Sequence, residues 1–376
     1  MDNSLDIILQ ADSHYTEYTN SPDVTVITAI FDLTKREEGR ERGIDDYLKL
    51  GHYLLDLDIN LIVVGDEHIL PKVWAYRKSK GLLDKTYLHV LNLENSPYYS
   101  YYPQILRAHV LRHKTDNKSP DVQKISQINS DIKPTGLNPI KDSPLYTIVG
   151  WTRYHLCAKM AQLNPFNSSH LAWIDFGIFH LYAGNLANLE HQQKLLLQSY
   201  NRLPTTKLKC MILRHTPKDE ISDKKKYFSQ QRFKVAGGYL AGCTESMIWL
   251  GQEMELAIAN MMNTGHPSLD EITLSSVIYE NQSRFAWYYG FYTNIISNSV
   301  KFTDGPENIE WHLNDCIKWQ LWDKVYNIGC YVLESRTQNK NISLVCVKHM
   351  ITAAQKLNLS ENIISALEDL THNIQN

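Results

Sequence analysis

Val24-Thr25-Val26-Ile27-Thr28-Ala29-Ile30-Phe31 is an apolar run rich in β-branched residues. Such side chains are stiff and suit a pleated, packed surface, so the run reads as a buried strand. The charged stretch from Asp32 to Gly43 suits a loop and gathers Arg36, Arg40 and Arg42. From Ile44 to Leu57 the apolar residues fall at helical spacing. Ile59-Asn60-Leu61-Ile62-Val63-Val64 reads as a second strand and ends on Gly65-Asp66-Glu67. A helix is expected from about Pro71, since proline suits a first helical turn. Thr86 to Leu91 reads as a third strand. Strands alternating with helices predict a parallel, doubly wound sheet. Right-handed crossovers would bring the chain after Phe31 and after Val64 to one rim. Ligands of open α/β sheets bind beyond the carboxyl ends of the strands.

Downstream, Leu171-Ala172-Trp173-Ile174-Asp175-Phe176-Gly177 is a short apolar run ending on a carboxylate and a glycine. Placed at that rim, Asp175 can hold a divalent metal against a diphosphate; the competing reading is a turn cap. Residues 115–143 are polar and contain three prolines, which reads as an irregular connector. Pro144 to Leu163 returns to helical periodicity. The stretch Val235 to Gly242 holds Gly237, Gly238 and Gly242, which points to a close backbone approach. Ser268 with Glu271 three residues on fits a capping box opening a helix. The tail from about Trp311 is helical in pattern. The expected organisation is an N-terminal arm at 1–22, an α/β domain at 23–300 and a helical C-terminal extension at 301–376.

The 376 residues carry a formal net charge of -3, which disfavours a dedicated nucleic-acid binder. The six cysteines are scattered with no C-x-x-C pair, which disfavours a zinc site. Their scatter fits free thiols in a reducing compartment. The N-terminus lacks the basic start and apolar stretch of a signal peptide. No window reaches the roughly 18 apolar residues of a spanning helix. A cytoplasmic protein is expected, docking at a membrane only peripherally. The dinucleotide fingerprint of glycines is missing after the first strand, which disfavours NAD or FAD.

Several segments in order resemble the bacterial HtrL/YibB-type proteins, placed among glycosyltransferases of the GT-A fold. They are Val26 to Leu33 with Arg42 and Tyr47-Leu48; Asn164-Pro165-Phe166 through Trp173-Ile174-Asp175-Phe176-Gly177; Gly237-Gly238 with Gly242; and Asp270-Glu271 with Phe285 and Tyr289-Gly290. The resemblance spans roughly 24–295. It implies an α/β, GT-A-like (Rossmann-like) mixed central sheet flanked by helices. It also implies a nucleotide-sugar donor, UDP-sugar foremost, and a glycan or other hydroxyl acceptor. Non-enzymatic use of the same fold, as a degenerate binding or assembly module, is the alternative.

GT-A enzymes usually carry an Asp-x-Asp motif, because hard cations such as Mn²⁺ or Mg²⁺ prefer oxygen ligands. Here the second Asp is replaced by Gly177. Either Asp175 works with distant ligands such as His266 or His312, or no metal is used. A literal Asp56-Leu57-Asp58 lies before the second strand, where it reads as a solvated loop. Asp270 is the candidate general base for an acceptor hydroxyl, with Glu271 beside it. Donor-binding candidates are Thr28, Ala29 and Phe31 bordering the base, Arg42 at a phosphate, Asp66 at the base or ribose, Lys159 as a cation, and Gly237 and Gly238 beside the donor sugar. For each, core packing, a tight turn or a solvated charge is the competing reading. The aromatic cluster Phe285, Trp287, Tyr288, Tyr289, Phe291 and Tyr292 is a candidate acceptor wall and also a candidate core.

Overall fold

A computed structural model describes residues 2–12, 16–37, 43–113, 142–182, 185–230, 234–301, 306–336 and 344–375. The strands are β1 Tyr18–Asn20, β2 Val24–Ile30, β3 Asn60–Gly65, β4 Thr86–Val90, β5 His170–Ile174, β6 Arg202–Pro204, β7 Leu208–Ile212, β8 Val235–Cys243 and β9 Phe285–Tyr289. The longer helices are α1 Asp2–Gln10, α2 Ile44–Leu55, α3 Leu70–Ser79, α4 Tyr102–His113, α5 Pro144–Leu163, α6 Leu186–Ser199, α7 Thr244–Asn263 and α8 Asp270–Glu280. Four more close the chain: α9 Pro306–Lys318, α10 Trp322–Arg336, α11 Leu344–Lys356 and α12 Glu361–Gln375.

The central sheet has seven strands in the order β4-β3-β2-β5-β8-β7-β9. The first four are mutually parallel, as the alternating pattern predicted. β8 runs against both β5 and β7, and β9 runs parallel to β7. Every strand but β8 therefore points the same way. The sheet is mixed and flanked by helices, the α/β arrangement expected from the sequence. One rim collects the residues after β2, β3, β5, β7 and β9 together with the start of β8. Strand order reverses between β2 and β5, and open α/β sheets bind ligands at the rim beside such a reversal.

The β2 run is buried on both faces because helices cover both. One core joins α5, α7, α8 and the C-terminal helices to one sheet face; the other packs α2, α3 and α6 on the opposite face. The run Phe285 to Tyr289 is a buried strand. Although β9 is the edge strand beside β7, its aromatic rings are buried in the cores on the two sheet faces, which removes Phe285, Trp287, Tyr288 and Tyr289 from an acceptor wall.

Ile8 of α1 is buried, and its carbonyl accepts from the Tyr326 hydroxyl at 2.9 Å. β1 pairs with β6. The extension at 301–376 is helical as expected, but its Ile309, Leu313, Val325 and Val347 share one core with the sheet. No helix among the described residues is long and apolar enough to cross a membrane. Of the 115–143 connector, residues 115–141 lie outside the described residues.

Candidate functional site

Asp175 directly follows β5 at this rim, with its side chain 28% exposed. Its Oδ1 accepts from the Trp173 indole N–H at 2.8 Å. Arg153, on α5, places Nη2 3.0 Å from the same oxygen and 3.4 Å from Oδ2. On its other side, Nη1 of Arg153 lies 3.1 Å from Oδ2 of Asp270, in the first turn of α8. One guanidinium thus bridges two carboxylates from different elements. It is nearly buried and lies over the Trp173 ring, 5.6 Å from its centroid. An isolated buried charge is costly, so opposite charge on both sides is what makes this Arg tenable. The two carboxylates hold its pKa well above the ordinary value.

Asp270 also accepts from the Tyr154 hydroxyl at 3.2 Å and is buried. Its neighbour Glu271 is half-buried, and Oε1 accepts the Gly237 N–H at 2.8 Å. Burial, and then the charge on Asp270, push Glu271 up to about 8. The expected capping box does not form. The helix starts one residue later, and the Ser268 side chain turns to the Met261 sulfur. Glu271 instead reaches across to the edge of β8. Of the two catalytic candidates, Asp270 is the carboxylate paired with Arg153 and Glu271 is the one whose pKa is raised.

Gly237 and Gly238 face opposite sides of β8, as successive strand residues must. A Cβ at Gly237 would lie 2.1 Å from Nη1 of Arg153. A Cβ at Gly238 would meet the Tyr292 hydroxyl at 2.8 Å and Oδ2 of Asp175 at 3.4 Å. The pair makes room for the protein's own charge cluster. That is neither the tight turn nor the open donor contact expected from sequence. Tyr292 and the half-buried Tyr146 complete the border of the site. Burial and the nearby carboxylates raise both phenols.

The remaining candidates are dispersed. Asp66 is fully buried and engaged: it accepts from the Asp32 N–H at 2.7 Å and forms a two-pronged pair with Arg36 at 2.9 Å. It ties the loops after β2 and β3 together, so both lone-pair faces expected to meet a ribose are used internally. Arg36 is further occupied by Glu94. Thr28 and Phe31 are buried in the sheet, and Ala29 packs half-buried beside them. Arg42 lies outside the described residues. Lys159 is exposed and its charge bears on His89 and His155. It sits about 9 Å further along α5 than Arg153, at 1.5 Å per residue. The cation of this helix that reaches the rim carboxylates is Arg153, which the sequence reading missed. Asp56 and Asp58 pair with Lys80 and Lys85 at the opposite rim, the solvated role expected.

The metal set does not assemble. His312 is buried among Tyr289, Phe291 and Trp311, where burial pushes it down to about 4. His266 lies in the turn between α7 and α8, its N–H on the Thr264 hydroxyl. Among the described residues no group of three His, Cys, Asp or Glu side chains could hold a metal ion. Asp175 faces a guanidinium and an indole N–H, both donors that a cation would have to displace. As a protein-built Mn²⁺ or Mg²⁺ site these residues do not fit.

Comparison with curated proteins returns no match. Among solved structures, mouse xyloside xylosyltransferase 1 in its apo form is similar over 70% of this chain and 84% of its own, at 11% identity and a TM-score of 0.31. That likeness is too distant to carry an activity across. Residues 22–266, well over half of the chain, match the family described as "Bacterial protein of unknown function (HtrL_YibB)", and the protein belongs to that family.

Proposed function

We propose that this protein is a glycosyltransferase that moves a sugar from a nucleotide-sugar donor, with UDP-sugar the first to test, to a hydroxyl of a glycan acceptor. The observation that carries this reading is the convergence of Asp175, Arg153, Asp270 and Glu271 at the rim beside the β2/β5 reversal. A crevice at such a reversal suits a nucleotide. A half-buried carboxyl tuned to about 8 suits proton transfer to or from a reacting hydroxyl.

In this reading the donor lies across the β2/β5 crevice with its anomeric carbon near Glu271. The acceptor oxygen attacks that carbon and a new C–O bond forms. The bond from the anomeric carbon to the diphosphate oxygen breaks, and its electron pair leaves with the nucleoside diphosphate. The hydroxyl proton passes to the Glu271 carboxylate. Arg153 pairs with Asp175 and Asp270 and holds both in place, and Glu271 is the carboxyl that takes the proton. No step is assigned to a metal.

The deciding experiment is a thermal-shift screen against nucleoside diphosphates and nucleotide sugars, followed by product analysis with the donor that binds. Ligand bound to the folded state alone raises the melting temperature by mass action. A shift with turnover supports transfer. A shift without turnover against any acceptor supports the binding-module alternative. No shift with any nucleotide removes both.

A further inference from the structure

Phe291 and Trp311 are large aromatic residues left 40% and 43% exposed. Their rings are neighbours, with centroids 6.1 Å apart and planes tilted by 39°. Phe291 follows β9 directly after Gly290, whose φ of 142° only glycine adopts readily and which swings the chain out of the sheet. The next residue, Tyr292, turns back into the site against Gly238. Trp311 comes from α9, in the C-terminal extension and outside the family match. Behind it Arg214, at the end of β7, lies 5.7 Å from a Trp311 ring centroid and is fixed by Asp315, with Nε 3.2 Å from Oδ2. The rings are thus held by packing and an ion pair, not left to swing.

Their place on the rim gives them meaning. β5, β7 and β9 point the same way, so Asp175, Arg214 and Phe291 leave the sheet on one side. Neighbouring strands lie about 4.8 Å apart, which puts the rings about 10–14 Å along the rim from Asp175. Glu271, Gly237 and Tyr292 lie between. In the transferase reading the nucleotide lies on the other side of Asp175, toward β2. An acceptor must reach Glu271 from the side the donor leaves open, which is the side of the rings.

We propose that Phe291 and Trp311 form a stacking platform for a sugar ring of the acceptor, at a distance from the hydroxyl that reacts. This rests on the transferase reading above and adds the acceptor's class: an oligosaccharide or glycan chain, not a single small alcohol. One face of a pyranose ring presents C–H groups that pack on the electron-rich face of an aromatic ring. The two tilted rings lie beside the Arg214–Asp315 ion pair, which offers a polar neighbour to the sugar's hydroxyls. They fall far short of the roughly 800 Å² per partner of a stable protein interface. The C-terminal extension thereby contributes to acceptor choice.

The test uses an array of defined oligosaccharides probed with the labelled full chain, with and without saturating UDP. Wild type, Phe291→Ala and Trp311→Ala are compared after their melting curves show each to be folded. Both side chains are substantially exposed, and Phe291→Ser serves as a second variant at the same ring. The expected result is retention of wild type on a subset of oligosaccharides and a loss of about tenfold in each variant. The nucleoside diphosphate thermal shift should stay unchanged in all of them. Equal retention of variants and wild type overturns the platform. So does a wild type that shifts with a nucleoside diphosphate yet is retained by no oligosaccharide; in both cases the transferase reading stands. A folded wild type that responds to neither overturns both.

Discussion

Nη2 of Arg153 lies 3.0 Å from Oδ1 of Asp175, and that single pair ties α5 to the carboxyl end of β5. The same guanidinium reaches Asp270 at 3.1 Å, so removing it strands two carboxylates at once. Breaking a buried ion pair by deleting one partner typically costs about 3–5 kcal/mol. Arg153→Met is expected to lose about 3 kcal/mol or more in a urea melt at neutral pH. Arg153→Met with Asp270→Asn should recover part of that loss, because one stranded charge goes with it. Additive losses in the double variant would show that Arg153 and Asp270 do not act as a pair.

Glu271 makes a prediction with a sign. Its folded pKa is raised to about 8, against an unfolded value near 4.5. The stability it contributes is therefore fully present below about pH 4.5 and is lost as pH rises through about 8. Glu271→Gln is neutral throughout and keeps an oxygen for the Gly237 N–H. The melting temperature of Glu271→Gln relative to wild type should therefore climb between about pH 5 and 8 and then level off. A constant difference across that range would place the Glu271 titration elsewhere. Under the transferase reading, turnover by wild type should rise toward pH 8 as the carboxylate forms, and Glu271→Gln should lose that rise.

Gly237→Ala and Gly238→Ala test the space around the cluster from its two faces. The first drives a methyl to 2.1 Å from the Arg153 guanidinium, which two carboxylates hold in place. The second meets the Tyr292 hydroxyl at 2.8 Å and the end of the Ile178 side chain at 2.9 Å. Overpacking costs about 1–3 kcal/mol, and the pinned neighbour yields less easily. Chemical denaturation should rank Gly237→Ala as the more destabilised. The reverse order would mean that Arg153 moves more readily than Tyr292.

The parallel half of the sheet was legible because its strands are β-branched runs separated by helices of clear period. Asp175 was legible because a carboxylate ending such a run must emerge at the rim. Arg153 was not, since it lies 22 residues upstream in a helix buried on nearly every side. The available signal was the charge itself: an Arg among Ile148, Trp151, Leu156 and Cys157 requires a buried counter-charge. Strand β9 was illegible as a strand because both its faces are buried, which erases alternation. The glycines of β8 spoke only of close approach; that the approaching group is a side chain of the same protein depends on three elements meeting in space.

The same cluster predicts how the site responds to chelation. The usual second motif carboxylate is Gly177, and Asp175 already faces the Arg153 guanidinium and the Trp173 indole N–H. A divalent ion would have to displace both donors for a single carboxylate ligand, and Mg²⁺ in particular keeps near-octahedral geometry and sheds water reluctantly. The thermal shift with the preferred nucleoside diphosphate is therefore expected to be the same in EDTA as in Mn²⁺ or Mg²⁺. At 100-fold excess over Kd that shift corresponds to about 2.7 kcal/mol, well within reach of the assay. A shift seen only with metal, and lost in Asp175→Asn, would make Asp175 a metal ligand and reduce Arg153 to a holder of the unliganded state. A shift in EDTA that weakens in Arg153→Lys, in protein shown to be folded, would establish the guanidinium as the fixed positive charge of the nucleotide site.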